Sequence, residues 1–135
     1  RAAMMLMPLL EGLERSTDFV CSQGTLISAV TRSKQGDGSR HVAPDQHHED
    51  IARKIASGLN LSGLLNFQTM EDAQGVPHIL EVNSRTSGGI GQTIHAGVNL
   101  PLIFARSLAG QTHYPEALTL HSSTVVENIR WMRTS

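Results

Sequence analysis

The strongest constraint on the fold of this chain comes from residues 78–89, which read HILEVNSRTSGG. Successive side chains of a strand point to opposite faces, so Glu81 and Asn83 share one face. Leu80 and Val82 share the other face, which is then apolar and predicted to be buried. A carboxylate and amide face above a hydrophobic core suits a strand that holds a hard cation such as Mg2+. The pattern therefore predicts a metal-binding strand.

A partner for that strand lies just upstream, over residues 63–71. If Gln74 and Gly75 form a two-residue loop, Gln68 lies directly opposite Glu81 and their side chains converge on one ion. A slip of one residue would turn Gln68 to the other face, so the pairing is a sharp prediction. The alternative is an ordinary antiparallel hairpin whose polar face lies in water.

Arg85 follows the predicted metal strand and adds a permanent planar charge. A guanidinium at this place stabilises an anion carried by the cation. The combination favours a nucleotide triphosphate as that anion.

The remaining pattern alternates between strands and helices. Strands are predicted over residues 2–8, 14–22, 25–32, 63–71, 77–83 and 123–133. One helix follows Pro44, is capped by Asp45 and ends at Gly58 and Asn60. Two shorter helices cover residues 90–95 and 101–108. This order predicts an α+β fold in which an antiparallel sheet is backed by helices.

Composition excludes several classes of protein. The chain has 135 residues, which suits one domain, and its net charge of -1 without a basic stripe argues against a nucleic-acid partner. Its one cysteine, Cys21, rules out an internal disulfide framework and favours a cytoplasmic protein. No apolar run is long enough to span a bilayer. Because residues 2–10 already read as a buried strand, we expect the chain to be part of a longer one. The sequence leaves the oligomeric state open.

Three histidines, His41, His47 and His48, raise the alternative of a zinc site. His47 and His48 are adjacent on the predicted helix and point about 100 degrees apart, so they do not readily share a metal. With one cysteine in the chain, zinc is not the metal that the sequence predicts.

Several segments resemble the metal-binding end of the ATP-grasp superfamily, and within it the large chain of carbamoyl-phosphate synthase. The matching segments are NFQ at 66–68, LEVNSR at 80–85 and SGG at 87–89. The family usually has Glu-hydrophobic-Asn-Pro-Arg, and Ser84 stands here in place of the proline. The resemblance implies Gln68, Glu81 and Asn83 as ligands of Mg2+ or Mn2+. It also implies Arg85 as the catalytic arginine on the phosphate side.

Residues 9–20 resemble the family's passage from the adenine hinge into a strand. The resemblance implies that Glu14 binds the ribose hydroxyls. It further implies that the hinge backbone positions the adenine through Met7, Leu9 and Leu10. Many members have a glutamate where this chain has Met7. Without the resemblance, Glu11 and Glu14 are ordinary solvated charges at the start of a strand.

Residues 36–44 are similar to a synthase segment that carries Gly-Asp-Ser and Val-Ala-Pro, with one extra residue. Arg32, Lys34 and Arg40 cluster around this loop. This clustering indicates that Arg32, Lys34 and Arg40 meet the triphosphate or an anionic substrate. Arg32 is the stronger candidate because it ends the predicted strand over residues 25–32. The alternative is a charged loop that stays in water.

The resemblance implies that residues 1–135 are the second, C-terminal lobe of an ATP-grasp enzyme whose first lobe lies outside this sequence. Such enzymes are ligases that phosphorylate a carboxylate with ATP, after which an amine or thiol attacks the acyl phosphate. The implied partners are the nucleotide, small carboxylate and amine substrates, and the missing lobe. The alternative is a non-catalytic nucleotide-binding or regulatory module derived from the same lobe.

Overall fold

Runs of β-branched and aromatic residues form most of the strands, as their preference for a pleated surface predicts. The computed structural model describes residues 3–126. Its strands are β1 (Glu14–Ser22), β2 (Thr25–Lys34), β3 (Arg40–Ala43), β4 (Gly63–Glu71), β5 (Pro77–Asn83) and β6 (Thr124–Val126). Its helices are α1 (Gln46–Gly58), α2 (Ile90–His95) and α3 (Leu100–Leu108). The strands form one antiparallel sheet in the order β5-β4-β1-β2-β3-β6, which confirms the α+β class.

The two faces of the sheet bury different cores, because neighbouring residues of β1 point in opposite directions. The core beneath α1 contains Phe19, Cys21, Ala52, Ala56, Leu65 and Phe67. The core beneath α3 contains Val20, Val30, Val42, Val98, Leu100, Ile103 and Val126. We call these sides of the sheet the α1 face and the α3 face. Burial of one such phenylalanine or leucine side chain stabilises the fold by about 2 kcal/mol.

The loop between β4 and β5 differs from the predicted two-residue turn. Between the end of β4 and the start of β5, the backbone N–H of Asp72 donates to the carbonyl of Val76 at 2.9 Å. This bond closes the turn and leaves three residues, 73–75, in the loop. Gly75 has a φ of 78°, in the left-handed region that glycine adopts without strain. The Asp72 carboxylate also accepts from the backbone of Gln74 and Val76, which fixes the longer turn.

A β-bulge compensates for the extra loop residue. Near the turn, Thr69 pairs with Ile79, whereas beyond the irregularity Gln68 pairs with Glu81. Leu80 is the additional residue on β5. The predicted pairing of Gln68 with Glu81 is therefore confirmed, although the loop predicted to produce it is wrong.

Helix α1 begins as its sequence predicts. The Asp45 carboxylate accepts from the backbone N–H of His48 at 3.0 Å, as an N-cap residue does. His48 itself is buried, and its ring nitrogen Nε2 lies 2.8 Å from the Thr69 hydroxyl. It therefore belongs to the core rather than to a surface cluster of histidines.

Other expectations for the strands need correction. Residues 3–10 form no strand and are mostly exposed, with Leu6 fully exposed, because no described strand pairs with them. The apolar face of β5 is also open, since β5 is an edge strand and Val82 is 44% exposed. The final strand covers 124–126, and residues 127–133 of that prediction lie outside the described part. Within residues 3–126, no helix combines the length and the apolar character needed to cross a membrane.

Candidate functional site

The strand register places polar side chains in one row across the α3 face. Residues directly opposite each other in antiparallel strands share a face. Glu81 pairs with Gln68, Gln68 with Ser16, and Ser16 in turn with Arg32. A second row places Asn83 opposite Asn66 and Asn66 opposite Asp18. The residues predicted as metal ligands and a buried ion pair thus lie on the same side of the sheet.

The three predicted metal ligands occupy neighbouring positions on β4 and β5, at the edge of the sheet. Asn83 Nδ2 donates to Glu81 Oε1 at 2.9 Å, which leaves the amide oxygen of Asn83 available as an acceptor. Glu81 is exposed, while Gln68 and Asn83 are half-buried. One carboxylate and two amide oxygens form a hard donor set that suits Mg2+ or Mn2+.

This donor set carries a single negative charge. Within residues 3–126, no group of three or more His, Cys, Asp or Glu side chains is placed to hold a metal. Mg2+ commonly binds proteins through one or two carboxylates together with substrate phosphates and water. The set therefore fits a cation that arrives with phosphates better than a cation bound by protein alone.

Behind this edge lies the buried pair of Asp18 and Arg32. Asp18 is fully buried and Arg32 is 4% exposed, and Arg32 Nη2 lies 2.8 Å from Asp18 Oδ2. Burial lowers the pKa of Arg32, and the Asp18 carboxylate opposes that shift. Arg32 therefore keeps its charge because a carboxylate accompanies it into the interior.

The loop that follows β5, residues 84–89, closes over this pair. The backbone N–H of Ser87 donates to Asp18 Oδ1 at 2.8 Å, and its hydroxyl donates to Asp18 Oδ2 at 2.6 Å. Asn66 Nδ2 donates to Oδ1 from the sheet side at 3.3 Å. Arg32 Nη1 donates to Gln92 Oε1 at 3.1 Å, just beyond the loop. The carboxylate of Asp18 thus joins β2, β4 and the loop.

Gly89 shows how closely this loop approaches the guanidinium. A Cβ atom at that position would lie 1.7 Å from Arg32 Nη1. At neighbouring Gly88, a Cβ atom would meet nothing within 4 Å. The glycine at 89 is therefore required by packing, and the one at 88 is not.

The predicted cationic residues occupy different surroundings. Arg85 is exposed, and its Nη1 donates to the carbonyl of Thr86 at 3.1 Å. Lys34 is exposed at the end of β2, opposite Arg40. Because β2 lies three strands from β5, Arg32 and Lys34 start about 14 Å from the metal-site strand. Arg32 is directed inward to Asp18, whereas Arg85 and Lys34 are free to meet a ligand.

The predicted hinge lies against the turn between β4 and β5. Leu9 and Leu10 line an open pocket of about 390 Å³ together with Glu11, Gly12, Asp72 and Ala73. The backbone N–H of Gly12 donates to the carbonyl of Glu71 at 3.0 Å, which fixes this segment beside β4. Met7 is 46% exposed, and Glu14 is half-buried opposite Met70.

Four residues that anchor the loop were not predicted from the sequence. They are Asp18, Asn66, Ser87 and Gln92. Asp18 carried a signal, because a charged residue within the apolar run of β1 requires a partner when it is buried. The strand predicted over residues 25–32 ended at Arg32, whereas β2 continues to Lys34. Arg32 therefore lies within the strand and is buried.

Comparison with known proteins identifies the family of the chain. A family model described as ATP-grasp in the biosynthetic pathway with Ter operon matches residues 1–131. The carbamoyl phosphate synthase large chain of Methanosarcina acetivorans is 35% identical over 120 residues, which cover 76% of this chain and 11% of that protein. The chain thus spans about a tenth of the length of this relative.

A solved structure shares the fold. The L-amino acid ligase from Bacillus licheniformis matches with a TM-score of 0.50 and 17% sequence identity. The match covers 73% of this chain and 30% of that protein. At this identity the likeness concerns the fold alone.

Proposed function

This chain belongs to the ATP-grasp family, and we propose that it is the ATP- and Mg2+-binding lobe of an ATP-dependent ligase. The proposed reaction joins a carboxylate to an amine or a thiol through an acyl phosphate. The observation that carries the proposal is the placement of Gln68, Glu81 and Asn83 at neighbouring positions on one face of β4 and β5, where Asn83 donates to Glu81. The names of the synthase and ligase relatives support the same class of reaction.

In the proposed site, the oxygens of Gln68, Glu81 and Asn83 would hold the cation. A bound Mg2+ would supply positive charge that offsets the negative charge of the phosphates during phosphoryl transfer. Arg85 is exposed beside this edge, where its guanidinium stabilises the charge that develops on the transferred phosphoryl group. A substrate carboxylate oxygen attacks the γ-phosphorus and ADP leaves, after which the amine or thiol displaces phosphate from the acyl carbon.

The nucleotide is proposed to extend from this edge toward the hinge. The pocket beside Leu9 and Leu10 offers backbone groups and apolar surface to an adenine ring. Glu14 is assigned to the ribose hydroxyls, and Lys34 to the phosphates or an anionic substrate. The first ATP-grasp lobe, outside this sequence, is proposed to complete the site together with the carboxylate and amine substrates.

An activity assay tests the proposal. ATP, Mg2+ and a panel of carboxylates and amines are supplied to the complete protein, with its first lobe, because we expect this lobe alone to be inactive; release of phosphate is measured. We expect release that depends on both organic substrates and that falls by at least about a hundredfold in Glu81→Ala, since the cation site loses its charged ligand. Asp50→Asn, at an exposed carboxylate on α1, is the matched control and should behave as wild type. Undiminished turnover in Glu81→Ala would remove Glu81 from the metal site.

A second candidate is a non-catalytic nucleotide-binding or regulatory module. The thioether of Met7 cannot accept a strong hydrogen bond from an adenine amino group, which favours this candidate. Calorimetric titration with ATP and Mg2+ separates the two. Binding that is abolished in Glu81→Ala, without turnover of any substrate in the panel, would support the non-catalytic module.

A further inference from the structure

We propose that Asp18 and Arg32 form a positioning pair that fixes the loop over residues 84–89, and through it Arg85. Any effect of this positioning on the binding of ATP and Mg2+ rests on the proposed function. The attachment of the loop to the pair does not, because the hydrogen bonds show it directly.

The first step of the argument is burial. Arg32 is 4% exposed and Asp18 is fully buried, so neither side chain reaches a ligand in solution directly. Arg32 Nη2 also donates to Ser16 Oγ at 3.1 Å, while its Nη1 reaches Gln92. The guanidinium fork therefore joins β1 to the start of α2, which is an internal role.

The second step is the number of contacts that reach the loop. Both oxygens of the Asp18 carboxylate accept from Ser87, one from its backbone and one from its hydroxyl. The Ser87 hydroxyl also accepts from Arg32 Nη2. Such hydrogen bonds to ionised groups are stronger than those between neutral groups. The loop is consequently attached at Ser87 to the charged and buried carboxylate of Asp18.

The third step is what the loop carries. Residues 84–89 connect Asn83, the last residue of β5, to α2 at Ile90. Arg85 lies two residues before the attachment point, and among the described residues its side chain forms a hydrogen bond only with the local carbonyl of Thr86. The attachment at Ser87 therefore limits where Arg85 can be placed, whereas Asn83 is already held in β5 opposite Asn66.

Hydrogen exchange in the protein without nucleotide tests the attachment. We expect amides in residues 84–92 to exchange about tenfold faster or more in Arg32→Met and Ser87→Ala, because contacts with an ionised group are lost. Arg32→Lys keeps the charge but not the fork, so its exchange should be intermediate. Arg53→Met removes an exposed arginine of α1 and should leave this segment unchanged. If Arg32→Met does not fold, Ser87→Ala alone carries the test.

Titration of the same variants with ATP and Mg2+ tests the consequence. We expect the affinity of Arg32→Met and Ser87→Ala to fall about tenfold, with no change in Arg53→Met. Loop exchange equal to wild type would overturn the proposal. Faster loop exchange with unchanged affinity would also overturn it, provided that Glu81→Ala abolishes binding. If Glu81→Ala binds as wild type while loop exchange still rises, the proposed function fails and the attachment of the loop stands.

Discussion

Two charged clusters lie on opposite faces of the same sheet, and they differ in burial. On the α3 face, Asp18 and Arg32 are almost completely enclosed. On the α1 face, Arg15 Nε lies 3.5 Å from Asp45 Oδ2, and each of these side chains is 22% exposed. Arg15 also pairs with Glu71. The enclosed pair holds a loop beside the candidate site, whereas the open cluster surrounds the start of α1.

The difference shows that the burial of a charged pair determines how costly the pair is to break. A pair that remains in contact with water contributes little, because solvent screens it and its side chains lose entropy on pairing. A buried pair is costly to break, since removing one partner leaves the other charge without compensation. We therefore expect substitutions in the two clusters to differ both in magnitude and in the region that they disturb.

The largest effect is expected at the buried pair. Asp18→Ala leaves the Arg32 guanidinium buried without its carboxylate and should lower the free energy of unfolding by about 3–5 kcal/mol. Denaturant titration measures this change. The double variant Asp18→Ala, Arg32→Met removes both charges and should recover part of the loss. A cost below about 1 kcal/mol for the single variant would place this pair with the solvent-screened ones.

Crowding beside Arg32 should have the next largest effect. In Gly89→Ala, the added methyl group displaces the guanidinium, and we expect a loss of about 1–3 kcal/mol in the free energy of unfolding. Gly88→Ala is the matched control, because its methyl group enters open space. Equal stability of the two variants would show that the loop moves away from Arg32 without cost.

A smaller effect is expected on the α1 face. Asp45→Ala removes the N-cap of α1 and the partner of Arg15, and should cost about 1 kcal/mol. Asp50→Ala, at an exposed position in the same helix, should stay within about 0.5 kcal/mol of wild type. A loss at Asp45 as large as that at Asp18 would contradict the contrast between the faces.

The smallest expected effect is a dependence on pH. Burial raises the pKa of Asp45, but hydrogen bonds from His48 and the charges of His48 and Arg15 outweigh it, so the pKa lies below its ordinary value. The folded state thus favours the ionised form. The resulting stability is complete above the unfolded pKa and is lost as pH falls through the folded pKa.

The melting temperature of the wild type should therefore fall more steeply than that of Asp45→Asn below about pH 4. Thermal unfolding at a series of pH values measures both slopes. Parallel curves for the two proteins would mean that Asp45 makes no ionisation-linked contribution.

The sequence alone predicted the parts of the molecule that depend on local pattern. Alternation in β5 placed Glu81 and Asn83 on one face, and Asp45 was recognised as the cap of α1. The pairing of Gln68 with Glu81 was predicted from a two-residue loop that the structure lacks, and it is restored because a bulge at Leu80 offsets a longer turn. Two compensating irregularities leave no trace in a binary pattern of polar and apolar residues.

Contacts between distant segments could not be predicted in this way. Ser87 lies 69 residues from Asp18 along the chain, and only the folded sheet brings them together. Residues 3–10 are exposed although their apolar sequence predicted a buried strand. Apolar residues indicate burial only when another element pairs with them. Thus the shared face of the polar side chains at the sheet edge could be predicted from the sequence, whereas the buried residues behind them could not.

Paramagnetic relaxation by Mn2+ in the presence of ATP tests the central claim most directly. If Gln68, Glu81 and Asn83 hold one divalent ion with the nucleotide, the side-chain amide signals of Gln68 and Asn83 should broaden before that of Gln46 in α1, on the other face of the sheet. This selective broadening should disappear in Glu81→Ala and persist in Asp50→Asn. Broadening that ignores these two amides, or that survives unchanged in Glu81→Ala, would contradict a metal site at this edge of the sheet.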